Sequence, residues 1–158
     1  LRFFQYQNRV NFMNTNFRPS SAGIIWIRIA VVYLLLGVAM GIYMGASQNF
    51  AMRPVHAHVN LLGWATLALA GLIYTVFPEA GASKLAKTHF WLLNLALPVM
   101  MGALAMVLSG KVDFVPVLAA SEIAAAAAIV AFAANLFLNL RAGAQEPAAQ
   151  PQGQARST

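Results

Sequence analysis

The chain has 158 residues, of which 60% are hydrophobic and 9% charged, where an ordinary soluble domain carries about a quarter charged residues. That balance argues against a soluble fold, and the absence of cysteine excludes disulfides, thiolate metal sites and thiol chemistry. A formal charge of +6 would point a soluble protein towards nucleic acid, but most of the charges lie outside the apolar runs, so they are read as bilayer orientation signals and no nucleic-acid partner is expected.

Residues 1–21 are expected to form a cytoplasmic segment. Its aromatic residues (Phe3, Phe4, Tyr6, Phe12, Phe17) suit either a stretch lying along the membrane interface or a poorly ordered tail. A membrane helix needs roughly 20 mostly apolar residues, and residues 22–140 hold four such runs, at about 22–46, 55–77, 88–108 and 114–140. The basic start and Gly45-Ala46-Ser47 resemble a secretory signal, but the first run exceeds a signal's apolar region and is read as a retained span. Gly37, Gly41 and Gly45 recur along one face of that run and permit close helix approach, within the chain or between copies. Pro54 and Pro78 bound the second run, and Pro54 suits a first helical turn because its missing N–H costs nothing there. Pro98 is expected to kink the third run. Residues 124–128, all alanine, give the fourth a second small-residue surface. Short connections, with Gly81 and Gly110 as flexible backbone in two of them, favour an antiparallel up-and-down bundle. Residues 141–158 lack apolar periodicity and read as a disordered cytoplasmic tail.

Flanking charges orient the spans. Arg2, Arg9, Arg18, Arg28, Lys84, Lys87, Arg141 and Arg156 fall on one side, and only Arg53 and Lys111 on the other. The positive-inside rule therefore places both termini in the cytoplasm, as expected for a multi-pass protein of a bacterial inner membrane.

His56 and His58 open the second span. Successive helical residues are about 100° apart, so these two side chains leave the helix on nearly opposite sides. They cannot easily bind both faces of one cofactor within one chain, but each can serve a different site. Gly63 and Ala65 follow seven positions later and would let a flat macrocycle lie close. The geometry leaves open the alternative of interfacial histidines, or histidines that join helices by hydrogen bonds.

The stretch His56-Ala57-His58-Val59-Asn60-Leu61-Leu62-Gly63-Trp64, then Gly71-Leu72-Ile73-Tyr74 and Phe77-Pro78, resembles part of the catalytic subunit of heme–copper oxidases. It is most similar to the C-type cytochrome oxidase and nitric oxide reductase branch. Lys84-Leu85-Ala86-Lys87-Thr88-His89-Phe90-Trp91 also resembles the segment that follows there, and the likeness covers about residues 53–101. The resemblance implies that His56 and His58 are axial ligands of two hemes on opposite sides of one helix. Catalytic subunits of that family have at least twelve helices, in three arcs of four. It therefore implies an all-α integral membrane fold here, a four-helix antiparallel bundle like one such arc, with three copies forming a homotrimer. Each interface would hold one heme b, bound by His56 of one copy and His58 of the next.

The copper centre of that family needs further histidines, and only His89 remains. It starts the third span at the opposite membrane side, about 19 residues or roughly 28 Å along the axis from His58. Copper is therefore not expected, and His89 reads as interfacial or structural, or as a contact for a cytoplasmic-side metal or quinone. Arg53 suits a heme propionate, which it can bind by two parallel hydrogen bonds, or a lipid headgroup. Asn60, four residues after His56, can orient a ligand or bond a neighbouring helix. Glu122 lies about 12 Å into the fourth span, where a carboxylate relays protons, holds a partner, or sits protonated as a structural acid. Trp64 and Trp91 can pack on a macrocycle or between helices.

The leading functional expectation is a membrane heme b protein for electron transfer or redox or gas sensing, since two histidines saturate the iron. A five-coordinate heme acting on nitric oxide or oxygen would make the chain a heme-dependent oxidoreductase. An accessory subunit of a respiratory complex would keep the motif without the cofactor, and a copper carrier is the weakest alternative. Topology is directly testable because the chain has no cysteine of its own. A single cysteine at Asn49 is expected to react with an impermeant maleimide added outside intact cells, and one at Ala144 only after the membrane is opened. The reverse pattern refutes the orientation.

Overall fold

A computed structural model describes residues 20–140; nearly all of the N-terminal segment and the tail from 141 onward, with the readings given for them, lie outside the described residues. Every regular element among the described residues is helical. They are α1 (Ser21–Ser47), α2 (Arg53–Val76), the short α3 (Pro78–Ala82), α4 (Lys84–Leu108) and α5 (Val115–Asn139). A 3-10 turn at Val112–Phe114 leads into α5. The four long helices are each long and apolar enough to cross a membrane. The chain is thus a multi-pass membrane protein by length and composition. Residues 20 and 140 lie at one end of the molecule, here called proximal, and the α1–α2 and α4–α5 connections lie at the distal end.

Local chemistry sets the helix ends. Ser20 caps α1 by accepting from the Gly23 N–H at 3.1 Å, and Ser83 caps α4 by accepting from the Ala86 N–H at 2.9 Å, each satisfying a backbone donor that the helix leaves unpaired. α1 stops at Gln48, whose φ of 53° is left-handed. Gly110, at φ 88°, turns the chain after α4 in a conformation that side chains resist. Gly81 is a correction to its reading as flexible backbone. It is helical within α3, and an added Cβ would stand 3.1 Å from the Tyr74 Cβ, so its small size serves close approach to Tyr74. α4 runs through Pro98 as one unbroken helix.

α2 is not uniform. Its first turns, Arg53–His58, are α-helical, Val59–Thr66 is π-helical, and the α form resumes at Leu67. Thr66 Oγ1 donates to the Leu61 carbonyl at 2.9 Å within the widened segment. π turns are rare and concentrate at functional positions. This one begins immediately after His58.

The long helices form an open row: α1 packs along α2, α2 meets α4, and α4 packs along α5. No Cα atoms of α1 and α5 come within 8 Å of each other, so the arrangement is not a closed bundle. Close packing of α1 on α2 rests on paired glycines, because a Cβ on Gly23 would enter Thr75 and the Gly71 carbonyl, and one on Gly71 would enter Ile27 and the Gly23 carbonyl. The outward faces are strongly apolar, with Phe137 90% exposed, which only lipid or another protein surface would tolerate.

The proximal end is locked by one polar cluster. The Asn135 amide is fully buried. Its Nδ2 donates to Tyr74 Oη at 3.2 Å and to the Ala80 carbonyl at 3.0 Å. Its Oδ1 accepts from Ser83 Oγ at 2.6 Å and from Asn139 Nδ2 at 2.7 Å. Both donors and both lone pairs of the amide are used, joining α2, α3, the start of α4 and α5. Ser20 Oγ donates to the Tyr74 carbonyl at 2.8 Å and ties α1 to the same point. Asn135→Ala is expected to lower stability by about 1–3 kcal/mol, since it strands several buried partners. Asn94→Ala removes only a bond to the Phe90 carbonyl of its own helix and should change little. Reversible unfolding in mixed micelles measures both, and equal effects contradict the cluster's role.

Candidate functional site

The two histidines of α2 leave the helix in opposite directions and meet different surroundings. His56 is half-buried against α1. A Cβ on Gly41 would lie 3.2 Å from its Cε1, and one on Gly37 would lie 2.5–2.8 Å from the Asn60 amide. The four-residue spacing of Gly37 and Gly41 therefore meshes with the four-residue spacing of Asn60 and His56. Asn60 Nδ2 donates to the His56 carbonyl at 2.8 Å. The same nitrogen stands 3.4 and 3.5 Å from the two ring nitrogens, too long for strong bonds. The glycine stripe of α1 is in this way partly a seat for the site within one chain, while Gly45 faces open space.

His58 faces the other way, into a groove between α2, α4 and α5 of about 280 Å³, walled by Leu62, Met100, Ala125, Ala126 and Ile129, with Glu122 on its rim. Its Nδ1 is 2.8 Å from the Pro54 carbonyl oxygen, which can only accept, so Nδ1 carries the proton. That bond fixes the ring and leaves Nε2 with a free lone pair. A backbone carbonyl holding Nδ1–H is the usual arrangement behind a histidine that ligates a metal through Nε2. Pro54 has a double part, since it starts the helix and its carbonyl aims His58.

The remaining candidates are dispersed. Arg53 is exposed, with its guanidinium carbon 4.8 Å from the centroid of the Phe50 ring. The close approach that Gly63 permits is made by Tyr33 of α1, because a Cβ there would stand 2.5 Å from the Tyr33 ring. A macrocycle cannot use the same space. Trp64 is half-buried in the π segment and packs against the core. Glu122 is exposed, and the groove is what brings it to His58. Among the described residues no group of three or more His, Asp or Glu side chains is placed to hold a metal ion.

His89 belongs to a different place. It is fully buried at the proximal end, against Tyr74, sixteen residues along α2 from His58, or about 24 Å. Its ring lies between Trp26 of α1 and Phe132 of α5, with centroids at 4.5 and 4.8 Å. Tyr74 Oη, itself accepting from Asn135, shares a hydrogen bond of 3.2 Å with His89 Nδ1. His89 Nε2 is buried without a partner. His89 is thus enclosed by helices, in keeping with its reading as a structural residue.

Sequence reasoning missed the seat made by Gly37 and Gly41, the carbonyl of Pro54 and the groove wall at Met100 and Ala125. The matching glycine and His/Asn spacings were the one available signal. Compared with known protein families, curated proteins and solved structures, the chain shows no match. In cofactor-free protein, diethyl pyrocarbonate is expected to modify His58 well before His89, as read by peptide mass spectrometry. Equal rates would contradict these two placements.

Proposed function

We propose that this chain is a heme b protein of a bacterial inner membrane, acting in electron transfer or in redox or gas sensing. The observation that carries the reading is His58: its Nδ1–H is held by the Pro54 carbonyl at 2.8 Å and its Nε2 is left free beside an apolar groove. Small side chains at Ala125 and Ala126 leave room for a flat ring, and Leu62, Met100 and Ile129 suit its apolar faces. At about 280 Å³ the groove lies just under the usual range for small-molecule sites, about 300–1,000 Å³. It fits one side of a macrocycle, and the other side then belongs to a neighbouring surface.

The resemblance to heme–copper oxidases and the opposed directions of His56 and His58 extend this to a homotrimer. Each heme would take His58 from one copy and His56 from the next. Arg53, exposed at the distal start of α2, would pair with propionates. Between two histidines a heme supplies one-electron chemistry with no open position. The protein's part is to aim His58 through Pro54, to seat His56 in the Gly41 notch, and to keep water out of an apolar cleft.

A second reading has its own support. His56 is packed on α1 of its own chain, whereas His58 alone opens on a groove, which favours a five-coordinate heme bound by His58 and open to nitric oxide or oxygen. Spectra of the heme-loaded protein separate the two. The shared site predicts low-spin reduced bands and loss of the same signal in His56→Ala and in His58→Ala. The open site predicts that the reduced protein binds carbon monoxide and that His56→Ala retains heme. A well-folded protein that takes up no heme, or His58→Ala with an unchanged spectrum, refutes both.

A further inference from the structure

A second cleft lies at the proximal end, between α1, α3 and α4, far from the histidine groove. We propose that it binds an anionic phospholipid, with the acyl region against its aromatic walls and the phosphate at its basic rim. The cleft measures about 330 Å³ and is formed by Ile25, Trp26, Gly81, Lys87, Phe90 and Trp91.

The walls are built in advance. Trp26 is 2% exposed, with the His89 ring on it at 4.5 Å and the Phe90 ring set edge-on at 5.1 Å. Trp91, by contrast, is 63% exposed and stands edge-on to Phe90 at 5.4 Å. A half-fixed, half-exposed aromatic pair at the end of a span suits the level where acyl chains meet headgroups.

Lys87 lines the cleft, and two further cations, Lys84 and Arg28, lie on the helices that form it. Lys84 and Lys87 occupy the first turn of α4, which has no acidic residue. Positive charge there opposes the helix dipole, and a bound anion relieves the conflict. Arg28 is exposed on α1, three residues past Ile25, and α1 has no acidic residue either. A guanidinium near the end of a membrane span reaches towards the headgroup level, where a phosphodiester offers it two parallel acceptors. Glu79 in α3 is the sole carboxylate of the described residues at this end, so the cations outnumber it. Basic pockets between helices select anionic headgroups in this way. A neutral quinone would fit the walls but leave the rim charges unserved.

The test uses the full chain in phosphatidylcholine vesicles carrying a minor fraction of brominated phosphatidylglycerol, or the same fraction of brominated phosphatidylcholine. Bromine quenches tryptophan on contact, so preferential quenching by the anionic lipid reports the site. Each lysine changed to glutamine, in Lys84→Gln and Lys87→Gln, should lower the preference about fivefold, while Lys87→Arg keeps it. Unchanged thermal midpoints show that the variants remain folded. Equal quenching by the two lipids in the unaltered protein overturns the proposal. So does a preference that survives both glutamine changes, and so does stronger quenching by decylubiquinone that those changes leave intact.

Discussion

In a bilayer interior, a polar group that finds no partner in the protein finds none in its surroundings. Asn135 meets that condition completely, since its amide makes four hydrogen bonds while fully buried. Much of the architecture follows from it. The partners lie on α2, α3, α4 and α5, so these elements cannot separate without stranding donors and acceptors. α1 joins through Ser20 and through Trp26, whose ring meets His89. His89 thereby links α1 to α5, whose backbones never approach. The proximal end is consequently the fixed end of an open row, and the distal end is left free to carry a groove.

The two histidines illustrate how a fixed frame produces asymmetry from a symmetrical motif. His-x-His places two like rings on opposite sides of one helix, but the sides are not alike. One faces α1 across glycine notches, and the other faces α4 and α5, where the row leaves room. The groove is also where Glu122 stands beside a histidine. A carboxylate in an apolar span is costly without a partner, and among the groove's lining residues His58 is the other polar one.

The four spans were legible in the sequence because bilayer thickness sets length and lipid sets composition, and both are local properties. The opposed directions of His56 and His58 were legible for a related reason: they lie in the α-helical turns before the π segment, where simple angular arithmetic holds. The π form of Val59–Thr66 was not legible, because nothing in that run differs in composition from an α-helix. Gly81 and His89 were read from local cues, as a hinge and as a helix-end polar residue. Their actual environments come from Tyr74, Trp26, Phe132 and Asn135, which are distant in sequence. Gly63 was assigned to a cofactor, but Tyr33 fills its notch, a contact that no spacing rule within α2 reveals.

The π-helical stretch gives α2 a property that a plain helix lacks. One end of α2 must point Tyr74 into the proximal cluster, and the other must point two histidines to opposite sides. In an unbroken α-helix those demands share one angular phase, so adjusting one would misalign the other. A wide turn absorbs rotation between them and works like a coupling in a shaft. Losing one residue within Val59–Thr66 would turn the histidines by about 100° relative to Tyr74, swinging His58 out of the groove and His56 out of its notch. The length of this segment is therefore a setting as consequential as the identity of any side chain in it, and an insertion or deletion there would be felt far more than one in either connection.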